Sequence, residues 1–470
     1  MADERLVHTP LARWAHERPA AVALANGERH LTFAALHALV QERAARLDAR
    51  SAPATVLLEG EGGTLERAVD FLAVIASGRC AAMGDADWPA AVAQAIAAKL
   101  PARAHTGAPP TPETPFYVGF TSGSTGLPKG FERHHRSWAE SFAVTLRDFG
   151  PDAATRVLAP GRMSHSLFLF GALLGLWSGA GAEVQERFSA PRALATLAAG
   201  GTPLLVAVPS QLVLMLQWAQ RRRLAPIEGV RLVLISGARW MRERTPELRR
   251  LFPRARIVQF YGASEASYIA WMDADAQAPA QAVGRPFSNV ALHIGPHPGT
   301  APLPRGETGL IWVRSPMLFT GYVNLADGTA ALREGDWLSV RDVGFLDASG
   351  LLHLCGRESR MVVTQGKNLF PEEIETCLAA HPAVVQASLH GLPDALRGMA
   401  VHAVLQCQGE PPPAPLLAAW CREQLEPFKT PRHWWLWRGP WPQTASGKTD
   451  HAAIARALAS GGHASLARLP

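Results

Sequence analysis

Thr121-Ser122-Gly123-Ser124-Thr125-Gly126-Leu127-Pro128-Lys129-Gly130 follows the apolar, aromatic run Phe116-Tyr117-Val118-Gly119-Phe120. Glycines let backbone N–H groups turn toward an anion, hydroxyls add donors and a lysine adds charge. A strand running into such a loop reads as a phosphate cradle. It is a near miss for the Walker pattern. Gly123 and Lys129 have the right separation, but Pro128 replaces the second glycine and Gly130 replaces the hydroxyl residue that would bind Mg²⁺. A flexible Gly/Ser linker is the plain alternative, and the preceding strand and the Pro-Lys pair weigh against it.

The lysine is informative because lysine is scarce. The 470-residue chain has 46 Lys plus Arg, and only five of them are Lys: 99, 129, 367, 429 and 448. Four sit in turn-rich stretches: TSGSTGLPKG, TQGKNLFP, EPFKTP and PQTASGKTD. An ammonium is a compact point charge on a flexible stem, whereas a guanidinium is a planar fork. A chain that uses Arg elsewhere and keeps Lys in these loops has a use for the ammonium there.

Composition bounds the rest. The length suggests two or three domains. With 48% apolar and 18% charged residues the chain is globular, and a net charge of +6 is too small to point to nucleic acid. The runs Arg221-Arg222-Arg223 and Arg249-Arg250 read as solvated helix faces. Five scattered cysteines without a CxxC pattern argue against a disulfide framework or a zinc site and fit a reducing cytoplasm. The start, MADERLVHTP, has no signal-peptide run, and Leu167–Trp177 is too short to span a bilayer.

Between residues 200 and 265 the pattern is strand, helix, strand, strand: LLVAVPS (204–210), QLVLMLQWAQ, VRLVLIS (230–236) and RIVQF (256–260). Apolar strands alternating with helices predict a parallel sheet covered on both faces. Ligands of such sheets gather at the carboxyl ends of the strands. Ser236-Gly237-Ala238 and Tyr261-Gly262-Ala263-Ser264-Glu265 fall there as loops. After about residue 357 the texture changes to a compact α+β unit. Strands are expected near 361–363, 384–389 and 400–405, and helices from Pro371, near 414–426 and near 450–459.

The loop resembles the phosphate-binding signature of the adenylate-forming superfamily, which includes acyl-CoA synthetases, aryl-acid ligases, adenylation domains and luciferases. FYGASEAS (260–267), VGRP (283–286), GETGLIWVRSPMLFTGY (306–322), RDVGFLD (341–347), GRESRMVVTQGKNLFPEEIE (356–375) and PQTASGKTD (442–450) resemble its later motifs, in order. The likeness runs from about 116 to 455, and the first hundred residues look abbreviated. It implies an α/β fold. A large N-terminal domain (1–357) would hold parallel-type sheets flanked by helices plus a small β-rich subdomain, with a small mobile α+β C-terminal domain (358–470). It also implies a two-step reaction. A carboxylate attacks the α-phosphate of ATP to give an acyl-adenylate and pyrophosphate, and a thiol then displaces AMP. The first step brings anions together, so positioning and electrostatic stabilisation should dominate.

The site follows from the matching motifs. Thr121, Ser122, Gly123, Ser124, Thr125, Gly126 and Lys129 would hold the phosphates. Glu265, with Thr121, would take Mg²⁺, a hard cation suited to oxygen ligands. Gly237, Ala238, Tyr261, Gly262, Ala263 and Ser264 would line the nucleotide pocket. Asp342 would accept from the ribose hydroxyls, unless it is a turn aspartate, and Arg357 would reach ribose or phosphate, unless it is a domain-boundary ion pair. Lys448 would bridge substrate carboxylate and ATP, against the alternative of a solvated loop lysine. Ser164, His165 and Gly237 would face the acyl group, with a core or cap role the rival for His165. His134 and His135 diverge too much to share a metal, and His135 matches the histidine that follows the phosphate loop. Ser359 stands at the hinge, where relatives usually have Asp or Lys, and Gly366 and Lys367 would face the thiol.

The segment around His165 has no Asp to pair with an α-amino group, and Ser166 replaces the Asn typical of dihydroxybenzoate ligases. With Phe168, Leu169 and Phe170 alongside, the expected substrate is an apolar acyl or aryl acid. The expected thiol is coenzyme A or the phosphopantetheinyl arm of an acyl carrier protein. A nucleotide- or acyl-binding relative without catalysis is a third reading, opposed by Glu265, Asp342 and Lys448. A monomer and a homodimer both remain open.

Overall fold

The structure is a computed structural model that describes residues 5–27, 29–49, 51–59, 62–101, 103–121, 128–279, 281–323, 331–364, 367–394, 398–444, 449–461 and 463–470. Its main sheet contains, side by side, Ala282–Pro286, Ser267–Asp273, Arg256–Ala263, Leu232–Ile235, Leu204–Ala207, Val157–Ala159, Ala182–Val184 and Val22–Ala25. The stretch from Arg256–Ala263 to Val22–Ala25 is parallel. Its strands are buried on both faces, which is why they read as unbroken apolar runs. Pro209 opens the helix Pro209–Arg222 directly after strand Leu204–Ala207.

Two details depart from expectation. A short helix, Thr245–Leu251, intervenes before strand Arg256–Ala263, and it too starts with Pro at its first turn. That strand does not end at Phe260. It continues through Ala263 and pairs antiparallel with Ser267–Asp273, so Tyr261, Gly262 and Ala263 are strand residues and only Ser264–Ala266 turn. A hairpin register, invisible in the apolar pattern, extends the strand.

A second sheet places Gly321–Val323, Lys129–His134, Pro115–Thr121, Cys80–Met83 and Thr55–Leu58 in that order. The β-rich region Gly309–Arg314, Asp342–Leu346 and Leu352–Arg357 is antiparallel. It joins the main sheet through Ala282↔His353. Between the layers lies one aromatic-rich core, in which Tyr268 stacks on Phe287 at 4.4 Å and meets Phe170 edge-on at 5.4 Å. Rings buried this way contribute about 1.5–3 kcal/mol each.

From Val362 onward the chain forms a hairpin (Val362–Thr364, Lys367–Leu369), a helix (Pro371–Ala379) and a sheet. The sheet comprises Val384–Asp394, Gly398–Cys407, His433–Trp437 and Leu466–Arg468, flanked by helices Ala414–Gln424 and His451–Ala459. Ile374, Leu378, Leu417, Cys421 and Trp434 form a core of their own.

This C-terminal unit holds histidines kept neutral by burial. His402 lies 4.3 Å from His433, ring to ring, and its Nδ1 accepts from Trp435 Nε1 at 3.1 Å. Burial, then His433, pushes His402 down to about 4. Burial does the same to His390, which meets Ser388 Oγ at 2.8 Å. A base with a depressed folded-state pKa binds fewer protons than the unfolded chain between the two values. Stability is therefore full above about pH 6.5 and lost as pH falls toward 4. We expect melting temperature to drop across that window, and His402→Gln, whose amide oxygen can accept from Trp435, to flatten the drop. An unchanged slope would remove His402 from the cause.

Candidate active site

Three sets of side chains stand at strand ends and in the turns beside them. The first is the hairpin made by strands Pro115–Thr121 and Lys129–His134. Thr121 ends one strand opposite Lys129, which starts the other. Ser122, Gly123, Ser124, Thr125 and Gly126 lie outside the described residues. The outer neighbour of this hairpin is Gly321–Val323, with Tyr322 opposite Phe131.

The second set is the turn after strand Arg256–Ala263. Tyr322 Oη donates to Glu265 Oε1 at 2.7 Å, and Phe319 N donates to the Glu265 carbonyl at 2.8 Å. Burial, then the facing Glu265 carboxylate, pushes the Tyr322 phenol far up, so it stays a donor. Oε2 of Glu265 has no hydrogen bond among the described residues, and the side chain is half-buried. A carboxylate fixed through one oxygen with the other open fits a hard divalent cation. Ser236 at the end of the adjacent strand donates to Phe260 O at 3.2 Å, which draws Gly237 and Ala238 toward Tyr261. Gly237 has φ +86° and a Cβ there would lie 3.1 Å from Val208 Cγ1, so glycine is required.

The third set is Asp342 with Arg357. These face each other on paired strands, with Arg357 Nε 3.2 Å from Asp342 Oδ1. Tyr261 Oη donates to Asp342 Oδ2, joining the second set to the third. Asp342 is 5% exposed. Burial raises its pKa, opposed by Arg357 and Tyr261. Asp342 in turn raises that of Arg357, and burial and Asp342 together hold Tyr261 well above its ordinary value. Asp342 is thus a buried strand residue and not a turn aspartate, and Arg357 forms its ion pair with Asp342.

Of the residues expected on the acyl side, Ser164 and His165 are half-buried and Gly237 is exposed. His165 precedes helix Ser166–Trp177 without a side-chain cap, its ring 5.7 Å from Phe168. Ser164 Oγ donates to Asp85 Oδ2 at 2.6 Å. Asp85 is a carboxylate beside Ser164 that the local motif could not reveal, and Arg162 pairs with it at 2.9 Å. Phe168, Leu169 and Phe170 are buried in the main core. His135 is buried, accepts from Val7 N at 3.2 Å and stacks on Phe116, while His134 caps the following helix by accepting from Ser137 N. The two rings do diverge.

At the unit boundary, Glu358 pairs with Arg341 at 2.7 Å and Arg360 with Glu375 at 2.6 Å and Glu372 at 3.2 Å. Exposed Ser359 stands between a residue tied to one side and a residue tied to the other. Arg239 Nη1 donates to Thr376 Oγ1 across the boundary at 2.9 Å. Lys367 is exposed, its Nζ 4.7 Å from the Phe428 ring centre. Gly366 and Lys448 lie outside the described residues.

Sequence reasoning passed over Tyr322 and Arg133. Arg133 is buried on strand Lys129–His134 and bonds to both ends of the Glu265 turn. Its signal was the strand alternation that places it on the inward face with Phe131.

Models of known families match the chain twice: "AMP-binding enzyme" over residues 51–323 and "AMP-binding enzyme C-terminal domain" over 373–448. An uncharacterized acyl–CoA ligase of Bacillus subtilis is 38% identical over 74% of this chain and 69% of its own length. The indoleacetate–CoA ligase of Aromatoleum aromaticum is 30% identical over 63% of this chain and 58% of its own. The o-succinylbenzoate CoA synthetase of Bacillus subtilis, solved with its acyl-adenylate intermediate, shares the fold. The TM-score is 0.82 over 94% of this chain and 97% of that one, at 22% identity.

Proposed function

Because the chain belongs to the AMP-binding enzyme family, we propose that it is an AMP-forming acid–CoA ligase acting on an apolar acyl or aryl carboxylic acid. The observation that supports this most is the chain of contacts from the Thr121/Lys129 hairpin through its neighbour Tyr322 to the Glu265 carboxylate, on the turn that follows Tyr261 of the Tyr261–Asp342–Arg357 cluster. Mg²⁺ bound with ATP would neutralise phosphate charge, with Glu265 and Thr121 as its oxygen ligands. Lys129 offsets the phosphates' charge, Asp342 accepts from the ribose and Tyr261 fixes Asp342 in place. Gly237 and Ala238 leave room for the base. Lys448 brings its ammonium to the carboxylate that attacks the α-phosphate, so the barrier falls by charge compensation and alignment, with no side-chain nucleophile.

The N-terminal domain ends at Arg357 and the C-terminal domain turns about Ser359, whose neighbours are anchored to opposite sides. A small polar pivot suits a joint that needs φ/ψ freedom. Gly366 and Lys367 then face the thiol. Among the described residues no helix is long and apolar enough to cross a membrane.

An ATP–pyrophosphate exchange assay over a panel of carboxylic acids, followed by thioester detection with CoA, tests the reading. Exchange with apolar acids and a CoA thioester are expected. No AMP formed with any acid would overturn it. A thioester formed only on a carrier protein would keep the adenylation and change the acceptor.

A further inference from the structure

A carboxylate that offers one oxygen to a metal must be held still by the rest of its surroundings. The turn that displays Glu265 is strained. A Cβ on Gly262 would lie 2.1 Å from Ser267 O, and Ser267 itself takes a left-handed φ of +58°. For a residue other than glycine that costs about 1–3 kcal/mol, and such strain persists only where neighbours over-determine it.

Arg133 is that neighbour. It is 1% exposed. Nη1 donates to Ser264 O at 2.8 Å and Nη2 to Ser267 Oγ, so one guanidinium grips the turn on both sides of Glu265. Nη2 also donates to Met317 O at 2.6 Å, in the segment that leads to Tyr322, the residue bonded to Glu265 Oε1. Nε donates to Ser137 Oγ at 3.2 Å, anchoring the fork to its own side of the fold. All four acceptors are neutral, and no carboxylate lies within ion-pair distance of Arg133 among the described residues. Burying a cation without a counter-charge is costly, and a packed apolar residue would ordinarily be more stable. Burial lowers the pKa of Arg133, and the leading opposing influence is the charge of Glu265.

We propose that Arg133 is a positioning residue for the adenylation step: it locks the Glu265 turn and the Tyr322 segment to the strand that begins with Lys129, so that metal-binding carboxylate and phosphate hairpin move as one body. A planar fork reaching three separate segments explains why arginine stands here. Lysine has three donors on one atom and cannot span them. The inference rests on the reading of Glu265 as a ligand of the ATP-bound metal.

The test uses the full chain with Arg133→Met, Arg133→Lys, Glu265→Gln and the Met/Gln double variant. ATP binding is measured calorimetrically across a Mg²⁺ series, beside pyrophosphate exchange over the same series. Loss of a group that orients a metal ligand typically weakens metal affinity by about 10–100-fold. Arg133→Met is expected to raise the Mg²⁺ needed for half-maximal binding and exchange by at least about tenfold, and Arg133→Lys by less. In the Glu265→Gln background the Met substitution should add little, because both act through one carboxylate. A fall in melting temperature with an unchanged Mg²⁺ requirement would reduce Arg133 to a packing residue and overturn the proposal. If Arg133→Met is insoluble, an unchanged requirement in Arg133→Lys overturns it equally. Should Glu265→Gln itself leave the requirement unchanged, the reading of Glu265 fails and the inference with it. If Glu265→Gln raises the requirement and the Arg133 variants do not, the inference alone falls.

Discussion

Replacing Lys448 with alanine is expected to slow ATP–pyrophosphate exchange by about 10²–10³-fold, the loss typical when one transition-state donor is removed. Conversion of a supplied acyl-adenylate to thioester should stay within about twofold. The asymmetry follows from the chemistry: only the first step drives a carboxylate against a phosphate. The flanks of Lys448 say how its ammonium would be carried. Gln443 bridges Thr449, and Trp441 Nε1 donates to Thr449 Oγ1 at 3.1 Å. Asp450 caps helix His451–Ala459 by accepting from Ala453 N at 2.9 Å. His451 reaches Ser388 Oγ at 2.8 Å, and Arg360, next to the pivot, at 3.4 Å. The residues flanking the lysine are therefore fastened to the C-terminal unit, and on the proposed reading the ammonium would arrive and leave with it. Lys448→Arg should recover little, since a planar fork does not take the place of a compact point charge. Equal losses in both half-reactions would remove the assignment.

Motif spacing made the strand before Thr121, the loop at Ser236–Ala238 and the C-terminal unit legible, because each rests on a local rule. Turn residues follow a strand, apolar runs alternate with helices, and proline opens a helix. What stayed hidden was pairing across distance. Nothing near Arg256–Ala263 announces that Ser267–Asp273 will extend it, and the separation of 81 positions between Tyr261 and Asp342 conceals their hydrogen bond. Asp85 meets Ser164 across 79 residues. Arg133 was lost for another reason. Arginine supplies nearly all the basic charge of this chain, so one more arginine beside two histidines looks like surface. Only its inward register sets it apart. The same bias made the lysines conspicuous, and the structure gives Lys429 a plain use: it pairs with Glu373 and Glu426, each at 2.8 Å, and serves packing.

Asp342 is where fold and chemistry pull in opposite directions. Its folded-state pKa is raised, with burial the largest cause. An acid whose pKa rises on folding binds its proton more readily in the native state, so ionising it at neutral pH costs stability. The fold tolerates this charge with help from Arg357 and Tyr261. Asp342→Asn should accordingly hold or raise the melting temperature, since the ionisation penalty disappears. Activity should move the other way. Charge-assisted hydrogen bonds to a ligand contribute about 1.5–3 kcal/mol each. Losing them from the ribose should lower kcat/KM for ATP by roughly 30- to 1000-fold, the equivalent of about 2–4 kcal/mol. Deoxy analogues give the sharper reading. The native enzyme should discriminate ATP from its 2′- and 3′-deoxy forms, and Asp342→Asn should lose most of that discrimination, because the hydroxyls no longer have an anion to donate to. Discrimination that survives the substitution would mean that Asp342 acts only on Tyr261 and Arg357, and that the ribose is held by other groups.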